Sequence, residues 1–383
     1  MSGPLEGIRV LDFTAMIAGP YCTRTLADLG AEVVKVEPPE GDYMRGREPL
    51  RQGADGTSHS AYFGALNSGK QSVALDMKSA EGRQLALDLA AKADVIVENF
   101  RPGVMKRLGL DYETVAAFNP RIVYCSISGY GQSGSAAGLP AYAPIMHAAC
   151  GYEMANLAYQ EGLERPLKSG IFIADVLSGS LAFGGISAAL VRRERAGQGE
   201  HVDVALMDCM LNLLVYECQE AQFPAEFQRP LYRPIKARDG FVIVAPISPA
   251  NFEAMAAVCG HPEWMSDPRF AGTHRARNWD ALMDLLDVWA GTLSVDECEK
   301  AMLDGGVPCS RYQTVGEAMN SEAVRSRGSF GRVRDGAGEF LSPNPAFKLR
   351  NGEAHVRGEV ERLGASNAKV VTAWLGDTRS AKK

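Results

Sequence analysis

The first two hundred residues alternate between short apolar runs and longer stretches in which apolar residues recur at helical spacing. "IRVLDFT", Ile8 to Thr14, and "AEVVKVE", Ala31 to Glu37, are strand-like, rich in β-branched residues and bounded by turn formers. Between them "PYCTRTLADLG" has the spacing of a helix, with Pro20 near its start and Gly30 at its end, the positions that suit a fixed φ and a left-handed residue. Strand, helix and strand form a βαβ unit, whose two strands run parallel. "SVALDMKSAEGRQLALDLAAKADVIVENF" repeats the rhythm: residues 73–77 as strand, Ser79 capping a helix with Glu81 in its first turn, Leu85, Leu89 and Ala93 along one face, then the strand "DVIVENF". "RIVYCSI" adds a further strand. This alternation predicts an open α/β sheet with ligand sites at the carboxyl ends of its strands.

From about Gly197 to Asp239 the pattern changes. "HVDVALMD" and an apolar helix around "CMLNLLVYECQEAQF" lead into "PAEFQRPLYRPIKARDG", whose prolines break both periods. The strand-like "GFVIVAPI", the helical "NFEAMAAVCG" and "WDALMDLLDVWAGTL", and the strand-like "VPCSRYQTV" form an α+β unit. The expected boundaries are 1–195 for a large domain, 196–238 for a connector, 239–325 for a small α+β domain, and 326–383 for a return to the large domain. The final part holds one extended and one helical segment, too little to fold alone, and the tail "DTRSAKK" reads as frayed.

Charge narrows the partners. With 46 acidic against 40 basic residues the net charge is −6, which disfavours nucleic acid held on a broad basic surface and points to small molecules. No run reaches the length of a membrane span and the opening "MSGPLEGIRVLDF" lacks signal-peptide order, so a cytoplasmic location is expected. The eight cysteines form no C-x-x-C pair and mostly sit in apolar runs, reading as reduced buried thiols, and the histidine spacing supports no metal site.

Three stretches carry candidate chemistry. "SISGYGQSGS" places Gly129, Gly131 and Gly134 in G-x-G-x-x-G spacing, but a dinucleotide fingerprint needs those glycines to open a helix. Here Gly138, Pro140 and Pro144 follow, so the motif reads as a glycine-rich turn. The loop "TAMIAGP" ends one strand and opens one helix, where free N–H groups can meet an anion or carbonyl, although such loops also occur without a ligand. Asp175 in "FIADVLSGS" reads first as the cap of the helix it precedes, with a reactive carboxylate as the lesser reading. Behind it Ser178, Gly179, Ser180, Ala182, Gly184 and Gly185 give the helix a thin surface that predicts close packing.

Taken together, four blocks resemble the family III CoA-transferases, which include formyl-CoA transferase, carnitine CoA-transferase and, as a divergent branch, alpha-methylacyl-CoA racemase. The blocks are "LEGIRVLDFTAMIAGPYCTRTLADLGAEVVKVEPPEGDYMR", the stretch from "LNSGKQSVALDMK" through "VENFRPGVMKRLGLDYETVAAFNPRIVYCSISGYGQSG", "ADVLSGSLAFGGISAALVRRERAGQGEHVDVALMD", and the C-terminal pair "SPNPAFKL" and "VRGEVERLG". The resemblance implies a Rossmann-like large domain with a parallel sheet, a smaller α+β domain, and an interlocked homodimer in which each chain threads a hole in the other. It implies CoA transfer between an acyl-CoA thioester and a carboxylic acid, with coenzyme A thioester as substrate and no tightly bound cofactor. Asp175 takes the place of the family's nucleophile, which passes through an acyl-aspartyl anhydride and an aspartyl-CoA thioester. The implied CoA-binding positions are Ile17 and Ala18, then Leu75, Asp76, Met77 and Lys78, then Asn99, Phe100 and Arg101, and finally Arg107.

The chain also departs from that pattern. Ile17 stands where formyl-CoA transferase has a glutamine, which makes formyl and oxalyl substrates less expected. Pro38 stands where many members have an adenine-contacting arginine, with Arg45 or Arg47 as replacements. Tyr142 and Ala143 occupy the place of the racemase's His-Asp pair, so Tyr142 and His147 are the candidates in the substrate pocket, His147 being either a substitute base or a packed helix residue. The rivals are an acyl-CoA racemase or isomerase on the same fold, and a non-catalytic CoA- or nucleotide-binding protein.

Overall fold

Six short strands rich in valine and isoleucine pair into one parallel sheet: β1 (Arg9–Asp12), β2 (Glu32–Glu37), β3 (Gln71–Ala74), β4 (Val95–Glu98), β5 (Val123–Ser128) and β6 (Glu200–Ala205). A computed structural model describes residues 3–227 and 229–376. The strand order is β3-β2-β1-β4-β5-β6, the doubly wound order, and it reverses between β1 and β4. Val10 lies beside Val33 of β2 on one side and Val95 of β4 on the other.

Successive side chains of a strand point to opposite faces, and here both faces are covered. Val10, Val95 and Val97 enter one core with Cys22, Leu26 and Ile186, while Leu11 and Ile96 enter a second with Val34, Leu89, Tyr124 and Trp374. Burial on both sides explains why these strands read as near-continuous apolar runs. The first core is closed by α1 (Ala18–Asp28) and α2 (Ile173–Ala196). Contrary to the expectation from sequence that no run reaches a membrane span, among the described residues α2 is long and apolar enough on average to cross one, but its buried side, Ala182, Ile186, Ala189 and Leu190, lies in this core.

Residues up to Glu217 together with those from Arg325 form one compact unit, and Cys218–Val324 forms another. In the first, the helix Asn367–Leu375 places Val370 and Trp374 in the second core. The second unit builds an antiparallel sheet from Ile235–Lys236, Phe241–Val244 and Cys309–Arg311. It has its own core of Val242, Phe252, Leu282, Leu286 and Met302.

Two elements differ from the sequence reading. The strand expected at residues 73–77 is Gln71–Ala74, because Asp76 turns the chain: its carboxylate accepts the Lys78 N–H at 2.9 Å, and Ser79 then caps the next helix by accepting from Gly82. The single helix expected around "CMLNLLVYECQEAQF" is two, Leu206–Leu213 and Val215–Glu220. Between them Leu214 leaves the helical range at φ −85° and ψ 45°, which keeps its side chain buried while Leu213 and Val215 face outward. The tail "DTRSAKK" lies outside the described residues.

Candidate active site

The crevice where the strand order reverses is built on the first βα loop, and the loop is held by buried charge. Asp12, at the end of β1, accepts from the Thr14 N–H (2.8 Å) and hydroxyl (2.5 Å), from the Thr23 hydroxyl (2.7 Å) and from the Lys70 ammonium (3.0 Å). Lys70 also donates to the Pro20 carbonyl (3.1 Å), to Thr23 (2.7 Å) and to Asn67 (2.8 Å). Lys35, between the valines of β2, donates to the Thr14 carbonyl (2.7 Å) and pairs with Asp42 (2.9 Å). The two ammoniums thus grip the loop at Thr14 and at Pro20. Burial pushes the Asp12 carboxyl up, but Lys70, Lys35 and the two hydroxyls outweigh it and hold it below the usual carboxylate range. Burial lowers Lys70 to about 8 against the pull of Asp12.

Within the gripped loop Met16 sits at φ 64°, a left-handed conformation that costs about 1 kcal/mol or more for a side chain of its size. Asn99, which follows β4, supports it: its amide accepts the Ala15 N–H at 2.9 Å and donates to the Ala15 carbonyl at 2.8 Å. Glu98 orders the next residues by accepting the Phe100 N–H at 2.8 Å, and burial lifts its carboxyl to about 7. The glycine turn after β5 forms the facing wall. A side chain on Gly129 would lie 2.2 Å from the Ala141 side chain, and Gly131 and Gly134 take φ of 84° and 90°. The next helix after them begins only at Ala143, so these glycines shape a turn.

Met16, Ala18, Asn99, Phe100, Arg101, Gly129, Leu139 and Tyr142 surround a cleft that also contains Asp175. Asp175 occupies the first turn of α2, but it is not the cap: that position is Phe172, and among the described residues the Asp175 carboxylate has no hydrogen-bonding or ion-pair partner. Burial alone lifts its carboxyl to about 6. Close packing at this end of α2 depends on Gly179, whose missing Cβ would stand 2.5 Å from the Ala18 carbonyl oxygen. Gly185 is similarly close to Val202, at 2.8 Å, whereas nothing lies within 4 Å of a Cβ on Gly184.

The structure therefore brings Ala18, Asn99, Phe100, Arg101, Tyr142 and Asp175 into one cleft. Ile17 is buried and caps α1 with its carbonyl, accepting from Tyr21 at 2.8 Å. Leu75, Asp76, Met77 and Lys78 follow the edge strand β3, outside the cleft lining, Leu75 buried and Lys78 exposed. Arg107 is exposed near the end of the helix Val104–Leu108, also outside it. His147 is buried behind the cleft. Of the two arginines that could replace one at Pro38, Arg45 is committed to Glu37 through two 2.7 Å contacts, and Arg47 lies exposed over the Tyr43 ring at 4.0 Å.

Sequence reasoning missed Lys35, Lys70, Met16 and Tyr62. Burial and then the charge of Asp175 raise the Tyr62 phenol. A lysine in the middle of an otherwise apolar strand, as in "VVKVE", was the available signal for Lys35. Among the described residues no three His, Cys, Asp or Glu side chains converge as a metal site would need.

Comparison with known proteins gives one answer. The chain is 35% identical to the acetyl-CoA:oxalate CoA-transferase of Acetobacter aceti over 377 residues, covering 96% of this chain and 94% of that one. It is 34% identical to the succinyl-CoA:mesaconate CoA-transferase of Haloarcula hispanica, covering 85% and 84%. Its fold superimposes on the crystal structure of a CAIB/BAIF family protein from Brucella suis with a TM-score of 0.84 and 30% identity, over 98% of this chain and all of the other. The family model for CoA-transferase family III matches residues 5–367, and the chain belongs to that family.

Proposed function

We propose that this CoA-transferase works through Asp175 and moves CoA between an acyl-CoA thioester and a free carboxylic acid. The observation that carries the reading is the state of that carboxylate: desolvated, lifted to about 6, aimed into a cleft and unpartnered among the described residues. A carboxylate serving structure is bonded, while one kept bare retains its nucleophilicity once ionised. Asp175 attacks the thioester carbonyl, forming an acyl-aspartyl anhydride and releasing CoA thiolate. The thiolate attacks the aspartyl carbonyl, giving aspartyl-CoA and the free donor acid. The acceptor carboxylate attacks aspartyl-CoA, forming a second anhydride and freeing the thiolate. The thiolate then takes the new acyl group and restores the aspartate. Anhydrides hydrolyse, so the cleft must exclude water during turnover.

In this reading Ala18, Phe100 and Arg101 meet the pantetheine and thioester, and Ile17 sets the turn behind them. Lys78, Arg107 and Arg47 are exposed cations suited to the phosphate and adenine end, Lys78 as a point charge. The protein acts as a homodimer, for which the outward residues Val176, Leu181 and Val191 of α2, with Leu211, Leu213 and Val215, offer an apolar face. The relatives' names pair CoA with small acids, oxalate and mesaconate among them, and a substrate panel starts there.

The test incubates the protein with acyl-CoA thioesters and free acids, traps with hydroxylamine and maps the modified peptide by mass. The expected product is a hydroxamate on Asp175. Transfer without any modification of Asp175 would refute the proposal, as would uptake of solvent deuterium at the alpha carbon without transfer.

A further inference from the structure

We infer that His147 is a positioning residue for this reaction, its imidazole capping the helix that carries Asp175. The inference rests on the reading of Asp175 as nucleophile. The first N–H groups of a helix have no partner within it, and Phe172 at the N-cap of α2 supplies no side-chain acceptor. The N–H of Ile173 turns back to the Ile171 carbonyl at 3.0 Å. The next N–H, of Ala174, donates at 3.1 Å to Nε2 of His147, from the helix Ala143–Ala149. Both residues are buried, so removing the imidazole takes away the Ala174 N–H's acceptor in a place shut off from bulk water. Ala174 is the residue immediately before Asp175, and a shift of the first turn is a shift of the carboxylate.

The hydrogen bond fixes the chemical state of the ring. Nε2 can accept only in neutral imidazole, so the proton is on Nδ1, which faces Glu153 Oε1 at 3.8 Å. Tyr152 lies against the ring with centroids 5.5 Å apart, and the helix Leu206–Leu213, with Asp208 and Cys209, packs against the same helix. Burial keeps the imidazole below its ordinary pKa, with Glu153 pulling the other way. Two consequences follow. The Nε2 lone pair is engaged by the backbone, so His147 is not the base that an alpha-proton exchange needs. Protonation would set N–H against N–H and release the first turn, so transfer requires both Asp175 ionised and His147 neutral.

The experiment compares His147→Leu and His147→Gln, using acyl-CoA and acid substrates that support transfer. His147→Leu is expected to lose roughly 10- to 100-fold in kcat while KM for acyl-CoA stays within about twofold, because orientation at the reacting centre is what is lost. His147→Gln keeps an acceptor oxygen near the Nε2 position and recovers most of the rate. On the acid side, log kcat/KM of the unmodified enzyme falls with a limiting slope of about 2 and that of His147→Gln with about 1, since the amide does not titrate. Should His147→Leu not fold, the slope of His147→Gln decides. Unchanged kcat in His147→Leu, or a slope of about 2 retained in His147→Gln, would overturn the inference. If Asp175→Asn is inactive while His147→Leu keeps full kcat, only the positioning role fails; if Asp175→Asn keeps full kcat, the nucleophile itself fails.

Discussion

Asp12 ends the strand that feeds the first βα loop, and Asp175 lies in the cleft that this loop lines. Both have lost much of their water. Asp12 is surrounded by Lys70, Lys35, Thr14 and Thr23, and despite its burial its carboxyl is held below the usual range. Asp175 has burial and nothing to offset it, and its carboxyl rises to about 6. In the proposed function the same side chain is a structural anchor in one place and a reactive group in the other, and the difference is compensation. Uncompensated burial costs stability, which a fold retains where the group has work to do.

The largest effect that tests this contrast is on rate. Asp175→Asn removes the proposed nucleophile and keeps the shape, and CoA transfer should fall by roughly 10³-fold or more in an initial-rate assay. A variant with near-normal transfer would mean that the bare carboxylate is incidental. Asp12→Asn should instead cost stability: it leaves Lys70 buried without its anion, and breaking such a pair costs about 3–5 kcal/mol in denaturant unfolding. The double replacement Asp12→Leu with Lys70→Met should recover much of that loss, since it removes both charges together. A single variant that unfolds like the unmodified protein would show that the lysine grip on the loop is not structural.

The two aspartates also differ in how visible they are from sequence. The strands were readable because burial on both faces leaves one dense apolar run per strand, a purely local signal. Asp175 reads locally as a helix cap, and its chemical meaning comes from the resemblance. Asp12 lies inside the strand-like run "IRVLDFT", which carries no local mark of its role. Its partner Lys70 lies 58 positions away, and Lys35 reaches Thr14 across 21. Whether a lysine is solvated or buried is settled by such distant groups, which no local window contains. His147 and Ala174, 27 positions apart, are the same case. Local turn chemistry explains the misplaced strand: Asp76 and Ser79 both favour their own backbone bonds, and so end β3 before its apolar residues run out.

The next effect is on pH dependence. Because the folded carboxyl of Asp175 is raised from 3.8 to about 6, the folded state binds its proton more tightly than the unfolded one. Stability contributed by that proton is present below the unfolded value and lost as pH rises through about 6. Asp175→Asn cannot ionise and should therefore be more stable than the unmodified protein at pH 8, by about 2–3 kcal/mol, and no more stable near pH 3.5. Equal melting temperatures at pH 8 would show that Asp175 is solvated and not desolvated. The same substitution should thus lower activity and raise stability, the reverse of what Asp12→Asn does to stability.

The smallest effects distinguish two of the three glycines of α2, Gly179 and Gly184. At Gly179 a Cβ would meet the Ala18 carbonyl oxygen at 2.5 Å and the Tyr21 side chain at 3.2 Å. The carbonyl belongs to the start of α1 and cannot swing aside, so Gly179→Ala must push α2 away from the loop. The expected cost is about 1–2 kcal/mol of stability, with a several-fold rise in KM for acyl-CoA because Ala18 lines the cleft. Gly184, by contrast, is exposed and has nothing within 4 Å of a Cβ, so Gly184→Ala should gain up to about 1 kcal/mol from helix propensity alone. That gain applies to an isolated chain. If the outward face of α2 meets a second copy, a methyl at Gly184 enters that contact, and Gly184→Ala should weaken the dimer in dilution sedimentation while leaving Asp175 chemistry intact. A stabilised Gly184→Ala with an unchanged dimer would place the subunit contact elsewhere, and the thin side of α2 would then serve only its approach to Ala18 at Gly179.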